Sequence, residues 1–144
     1  MFKHLIMTAV IINGKALAAN VRNEVSKAVL ELNKKGYVPG LATIIVGNDA
    51  ASAIDVKNKN KFAKETGIKS FQYSLSESVS ENELIKLINE LNDNNAIDGI
   101  LVQLPLPKQI NSELILDTIN PNKDVDGFNL INAANIYLNR KGVI

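Results

Sequence analysis

Apolar residues recur at helical spacing early in the chain. Leu17, Val21, Val25, Val29 and Leu32 stand three or four apart between Lys15 and Lys35, and Gly36 sits where such a helix would end. The period then changes. Leu41-Ala42-Thr43-Ile44-Ile45-Val46 is a near-continuous apolar run between Pro39-Gly40 and Gly47-Asn48-Asp49. Its length and β-branched content predict a strand buried on both faces. Ser52 is the expected N-cap of a helix running to Gly67. Phe71 and Tyr73 predict a second strand. Ser80 and Glu83 form a capping box ahead of Leu84, Leu87, Ile88 and Leu91. A third strand is predicted over Asp98 to Leu104, stopped by Pro105-Leu106-Pro107 because proline has no N–H for a sheet ladder. A short helix follows near Ser112 to Ile119, broken at Asn120-Pro121. After it come a polar loop, Lys123 to Phe128, and a last amphipathic segment from Asn132 to Leu138. Strands alternating with longer helices predict an α/β fold: one parallel sheet with helices on both faces, a three-layer sandwich forming a single domain over residues 1–144.

Composition narrows the function. Of 144 residues, 46% are hydrophobic and 22% charged, as in an ordinary globular domain. Lys plus Arg is 16 against 15 for Asp plus Glu, so the basic excess of a duplex-binding domain is missing and no nucleic-acid partner is expected. The opening stretch, Met1 to Ile12, is apolar but shorter than the roughly 20 residues of a membrane span. It runs into an Asn13-Gly14-Lys15 turn without a cleavage site, and reads as a terminal segment leading to a strand rather than a signal peptide or membrane anchor. The absence of cysteine removes disulfides, thiolate metal sites and a thiol nucleophile, and suits a cytoplasmic protein. The single histidine, His4, leaves little for a zinc site or a Ser–His–Asp triad, so no metal site is expected. The eight glycines match neither G-x-G-x-x-G nor G-x-x-x-x-G-K-[ST], so no cofactor is expected to bind this chain.

In open α/β sheets, ligands gather beyond the carboxyl ends of the strands. Those ends are Gly47-Asn48-Asp49 and Gln103 to Pro107. On the helix between them, Lys57, Lys61 and Lys64 share one face and read as solvated basic surface. Lys59 falls instead with Asp55, Val56, Phe62, Ala63 and Thr66. An amine there either reaches out to water or is partly desolvated and fit for acid–base chemistry. Asp55 stands four residues earlier, a helical pairing worth about 0.2–0.5 kcal/mol that favours the ammonium and opposes its use as a base. Gln103 reads either as a loop amide or as a group that hydrogen-bonds substrate. Asp124 and Asp126 alternate around Val125 ahead of Gly127; this suits an Asx-type turn and lacks the ligands of an EF-hand. The frequent asparagines read as composition more than as a determinant of fold.

Leu41 to Asp49, with Ser52, Lys59, Lys61 and Gly67-Ile68, resembles the first signature of the bifunctional methylenetetrahydrofolate dehydrogenase/methenyltetrahydrofolate cyclohydrolase family. Asp98 to Pro107 resembles its second. Ile12-Asn13-Gly14-Lys15, Val38 to Leu41, Pro121, Lys123-Asp124-Val125-Asp126-Gly127-Phe128 and Asn132 follow at family-like spacing, so the likeness covers nearly the whole chain from about Ile11. The resemblance implies the amino-terminal, folate-binding catalytic domain of that family, in cytoplasmic one-carbon metabolism. The parent activity would be NADP-dependent oxidation of 5,10-methylenetetrahydrofolate, then hydrolysis of 5,10-methenyltetrahydrofolate to 10-formyltetrahydrofolate. It casts Lys59 as the catalytic, proton-handling lysine, Gln103 as the amide that tunes it, and Asp126 as the residue that holds the pterin. Asp55, Leu104, Pro105 and Pro107 would border the folate.

Two departures qualify this. Family members usually carry tyrosine at the position of Asp55, where it stacks on the aminobenzoate ring; such aromatic contacts are worth about 0.5–1.5 kcal/mol. The chain is also expected to lack the NADP-binding Rossmann domain that follows in the family, together with the final helix that returns to the first domain. Weak cyclohydrolase activity at most is then expected. The rival expectations are a non-catalytic folate-binding or interaction module that pairs with a separate Rossmann-domain chain, and an inactive domain whose exposed cleft promotes self-association.

Overall fold

The computed structural model describes residues 12–140. The predicted terminal strand and His4 fall in residues 1–11, outside the described part. The described elements are α1 (Gly14–Lys34), β1 (Gly40–Val46), α2 (Ala50–Thr66), β2 (Lys69–Leu75), α3 (Glu81–Asp93), β3 (Gly99–Val102), α4 (Ser112–Thr118) and α5 (Leu130–Tyr137).

The three strands form a parallel sheet in the order β2-β1-β3. Gly40 to Val46 pair with Lys69 to Leu75 on one side of β1, and Leu41 to Ile44 pair with Gly99 to Val102 on the other. As its apolar run predicts, the central strand is buried from Ala42 through Val46. Its alternate residues divide between two faces. Ala42, Ile44 and Val46, with Ile100 and Val102, join Leu84, Ile88 and Leu91 of α3 and Ile115 of α4 in a dry core. On the other face α2 packs against β1 and β2, and α1 packs on the outside of α2. The layers are those of the expected sandwich.

Several boundaries differ from the sequence reading, each for a local reason. Ser52 does not cap α2. Asp49 does, accepting hydrogen bonds from Ser52 N at 2.8 Å and Ser52 Oγ at 2.7 Å, so the helix starts at Ala50. The apolar stripe of α1 is less sunken than its spacing suggests. Of its five apolar residues only Val29 is buried, because α1 rests on another helix and not on the sheet. The third strand is shorter than predicted. Gln103 N still donates to Ile44 O at 2.8 Å, but pairing then stops at Pro105, which follows a cis Leu104–Pro105 bond. The last helix starts earlier, at Leu130, because the Asn129 side chain caps it.

The polar loop beginning at Lys123 is docked against the sheet. Ile100 N donates to Lys123 O at 2.7 Å, and Ile100 and Asp124 form a parallel bridge. Gly99 permits this approach, since a Cβ there would lie 2.5 Å from Val125 Cγ1.

Candidate functional site

Gln103 shares a sheet face with Leu101, the face toward α2, by the alternation of the strand. Lys59 reaches from α2 to the same place. Its Nζ donates to Gln103 Oε1 at 3.2 Å, while Gln103 Nε2 donates to Leu104 O at 3.0 Å. The second bond turns the amide oxygen toward the lysine. Of the two readings left open for Gln103, the amide is therefore engaged at the site and not idle in a loop. Lys59 combines its two alternatives. About a third of its side chain, 35%, remains exposed, while its stem lines a small apolar groove with Val21, Val25, Leu41, Phe62 and Ala63. Asp55 Oδ2 stands 3.7 Å from Lys59 Nζ, an ion pair too long for a hydrogen bond, and its side chain is 60% exposed. Lys57, Lys61 and Lys64 are all exposed, as expected of a solvated face.

The two aspartates of the loop separate in role. Asp124 is 1% exposed and accepts hydrogen bonds from Gly127 N at 3.0 Å, Asn129 N at 2.9 Å and Asn132 Nδ2 at 3.0 Å. The turn expected from sequence thus belongs to Asp124, which anchors the loop. Asp126 makes none of these bonds and is exposed. Loss of water pushes its carboxyl above the ordinary carboxylate range; the Lys59 ammonium draws it back down, and the charge of Asp124 pushes it up. Lys59, Gln103, Asp55 and Asp126 therefore come from one helix and two loop segments to one neighbourhood.

The supports of this loop escaped the sequence reading, which treated asparagine as background. Asn129 Nδ2 donates to Ile119 O at 3.0 Å, and Asn132 Nδ2 donates to Pro121 O at 2.8 Å; both residues are buried. Lys123 Nζ donates to the carbonyls of Leu91, Asn92 and Asn94 at 2.7 to 3.0 Å, closing the end of α3. The available signal was the cap position of Asn129, ahead of an apolar stretch.

Leu104 is half-buried and holds the Gln103 amide through its carbonyl. Pro105 and Pro107, with Leu106, Gly47 and Asn48, border an open cavity of about 370 Å³ at the carboxyl ends of β1 and β3. Lys59 and Gln103 are not in its lining, so the cavity adjoins the lysine group and does not contain it. The turn after β1 does not fit a dinucleotide pyrophosphate. Asp49 already places a carboxylate on the first-turn N–H groups of α2 that an anion would use. Ser80 and Glu83 close the start of α3 in the same manner. Among the described residues no group of three or more His, Asp or Glu could hold a metal ion, and no described helix is long and apolar enough to cross a membrane.

Comparison with known proteins finds relatives of this chain. The family model described as tetrahydrofolate dehydrogenase/cyclohydrolase, catalytic domain, matches residues 12–126. The bifunctional protein FolD of Listeria innocua is 46% identical over 134 residues, covering 93% of this chain and 47% of that protein. The crystal structure of the bifunctional enzyme FolD, methylenetetrahydrofolate dehydrogenase/cyclohydrolase, from Campylobacter jejuni aligns with a TM-score of 0.89 at 45% identity, over 91% of this chain and 47% of that one. The Trypanosoma brucei methylenetetrahydrofolate dehydrogenase-cyclohydrolase, complexed with NADP cofactor and inhibitor, aligns with a TM-score of 0.89 at 34% identity, over 94% of this chain and 47% of that one. The chain spans about half the length of the curated relatives it matches. The docked Lys123–Phe128 loop, the proline-closed third strand and the family match over residues 12–126 lead to one conclusion: the chain belongs to the tetrahydrofolate dehydrogenase/cyclohydrolase family.

Proposed function

We propose that this chain is the folate-binding catalytic domain of a cytoplasmic enzyme of one-carbon metabolism, and that its own residues serve the hydrolysis of 5,10-methenyltetrahydrofolate. The observation that carries this reading is the 3.2 Å contact of Lys59 Nζ with Gln103 Oε1 at a strand end. Water adds to the methenyl carbon, forming a C–O bond and giving up a proton. The bond from that carbon to N5 then breaks, leaving the formyl group on N10 with net release of one proton. Lys59 handles the proton beside the reacting carbon. Gln103 fixes the lysine's direction, Asp126 binds the pterin through its carboxyl, and Leu104, Pro105 and Pro107 shape the wall beside the ring.

Oxidation of 5,10-methylenetetrahydrofolate is the partner activity of the parent enzymes. NADP would accept the hydride, and the Trypanosoma brucei relative is the one complexed with it. The anion-capped helix starts described above do not fit that cofactor. A nucleotide-binding domain, in the same protein or on a separate chain, would supply the site.

The test is the absorbance loss of 5,10-methenyltetrahydrofolate with the wild-type chain, Lys59→Ala and Asp55→Tyr. Slow hydrolysis is expected from wild type and none above buffer from Lys59→Ala. Asp55→Tyr is expected to be faster by at least about tenfold, equivalent to about 1.4 kcal/mol of barrier. Activity undiminished in Lys59→Ala would refute the assignment.

A second reading is favoured by the exposed apolar side chains of Leu130, Ile131 and Ile136 on α5. They suit an interaction module that binds folate without turnover and pairs with a Rossmann-domain chain. Pull-down with such a chain, alongside folate binding without hydrolysis, would establish it.

A further inference from the structure

We propose that Asp55 is a positioning residue for Lys59, a resident counter-ion that holds the ammonium at the end of β3 and leaves it aimed at a hydrogen-bond-accepting oxygen in the cleft. An ammonium has three N–H bonds and no acceptor. One N–H of Lys59 is committed to Gln103 Oε1 at 3.2 Å, and that oxygen cannot swing away because the amide nitrogen is tied to Leu104 O. Asp55 lies one helical turn earlier on the same face, in the favourable order of acid before base. At 3.7 Å its carboxylate attracts the ammonium without taking an N–H. Two N–H bonds therefore stay available to an occupant.

Asp55 has no other hydrogen-bond or ion-pair partner among the described residues, so its charge acts on Lys59 alone at this range. The stem of Lys59 borders the same apolar groove as Leu41 and Phe62, and its tip reaches beyond it to Gln103. Gln103 and Asp55 supply what the stem lacks. Gln103 sets the direction, and Asp55 keeps the charged form in place against rotation into solvent. The site is thus built to present a cation to an electron-rich oxygen. Only in naming that oxygen as the one joined to the one-carbon unit does this inference rest on the hydrolytic reading above.

The experiment is trace acetylation of the whole chain with an amine-reactive ester, read lysine by lysine in mass spectrometry. Wild type, Asp55→Asn and Asp55→Glu are compared at low and high salt, with the exposed Lys57 and Lys64 as internal references. Asp55→Asn is expected to label Lys59 about two- to fivefold faster relative to those references, the range that helical and exposed ion pairs support. Asp55→Glu keeps the charge and is expected to stay near wild type. High salt is expected to bring wild type toward Asp55→Asn. An unchanged Lys59 ratio in Asp55→Asn at low salt overturns the proposal. So does equal acceleration at all three lysines, which would report general loosening. No folate enters the measurement. Absent hydrolysis with the labelling effect intact would therefore refute the proposed function and leave this inference standing.

Discussion

The two faces of the sheet are built on different terms. Beneath α3 and α4, every contributing side chain is apolar: Ala42, Ile44, Val46, Ile100 and Val102 meet Leu84, Ile88 and Ile115 with almost no exposed surface. Beneath α2, β1 presents Thr43, whose buried hydroxyl has no hydrogen-bond partner among the described residues, and a lysine, an amide and two carboxylates gather at the rim. One face carries the larger apolar cluster. The other gives up packing so that charged groups can stand together near water. A domain that must be both firm and reactive can assign these demands to opposite sides of one sheet, because the alternation of a strand keeps them apart.

The largest expected effect tests the firm face. Ile88 is fully buried, and Ile88→Ala should lower unfolding stability by about 2–5 kcal/mol through lost burial and a residual cavity. Urea denaturation with a control at the half-buried Lys59, as Lys59→Ala, expected to fall by well under half as much, measures the contrast. Comparable losses at both sites would dissolve it. A smaller effect of opposite sign is expected beneath α2. Thr43→Val removes the unpartnered hydroxyl at constant shape and should stabilise by about 1 kcal/mol, again by urea midpoint. A loss of stability would mean that the hydroxyl has a partner in solution.

The smallest effect is a slope. The carboxyl of Asp126 is held above its ordinary range in the folded chain, chiefly by burial, so the folded state keeps that proton to higher pH than the unfolded chain does. The stability this group contributes is whole below the ordinary carboxylate value and is lost as pH rises through the raised one. Asp126→Asn should remove that slope, leaving stability flatter across the mildly acidic window. Thermal unfolding at a series of pH values reads it, and parallel curves for the two proteins would count against a desolvated Asp126.

The same division explains what could be read from the residues alone. The firm face was legible because period carries it. The run from Leu41 to Val46, the capping box at Ser80 and the spacing of Leu84, Ile88 and Leu91 each mark an element and its buried side. The exposed stripe on α1 shows the limit, since spacing identifies an apolar side without saying what covers it. At the site, Lys59 and Gln103 were visible as candidates by position, but their contact spans 44 residues and no local pattern encodes it. The resemblance to a known family singled them out. The asparagines were misread for a related reason. Asn129 and Asn132 act by hydrogen bonds to carbonyls 10 and 11 residues away, which no local pattern encodes.

The clasp of Lys123 on α3 has a consequence for the order in which the chain is made. Its ammonium meets carbonyls 29 to 32 residues behind it. During synthesis, α3 is complete long before the residue that finishes its last turn exists. Until then the carbonyls of Leu91 and Asn94 have one local backbone partner each, Asn94 N and Ile97 N, and the turn lacks its side-chain cap. When Lys123 arrives, the loop closed between them loses entropy only slowly with its length, about (3/2)RT ln n, and the contact also seats the loop bearing Asp126. Lys123 therefore ties the order of the helix end to that of the loop bearing Asp126. The loop that begins at Lys123 is in this sense the last seal on the helix behind it.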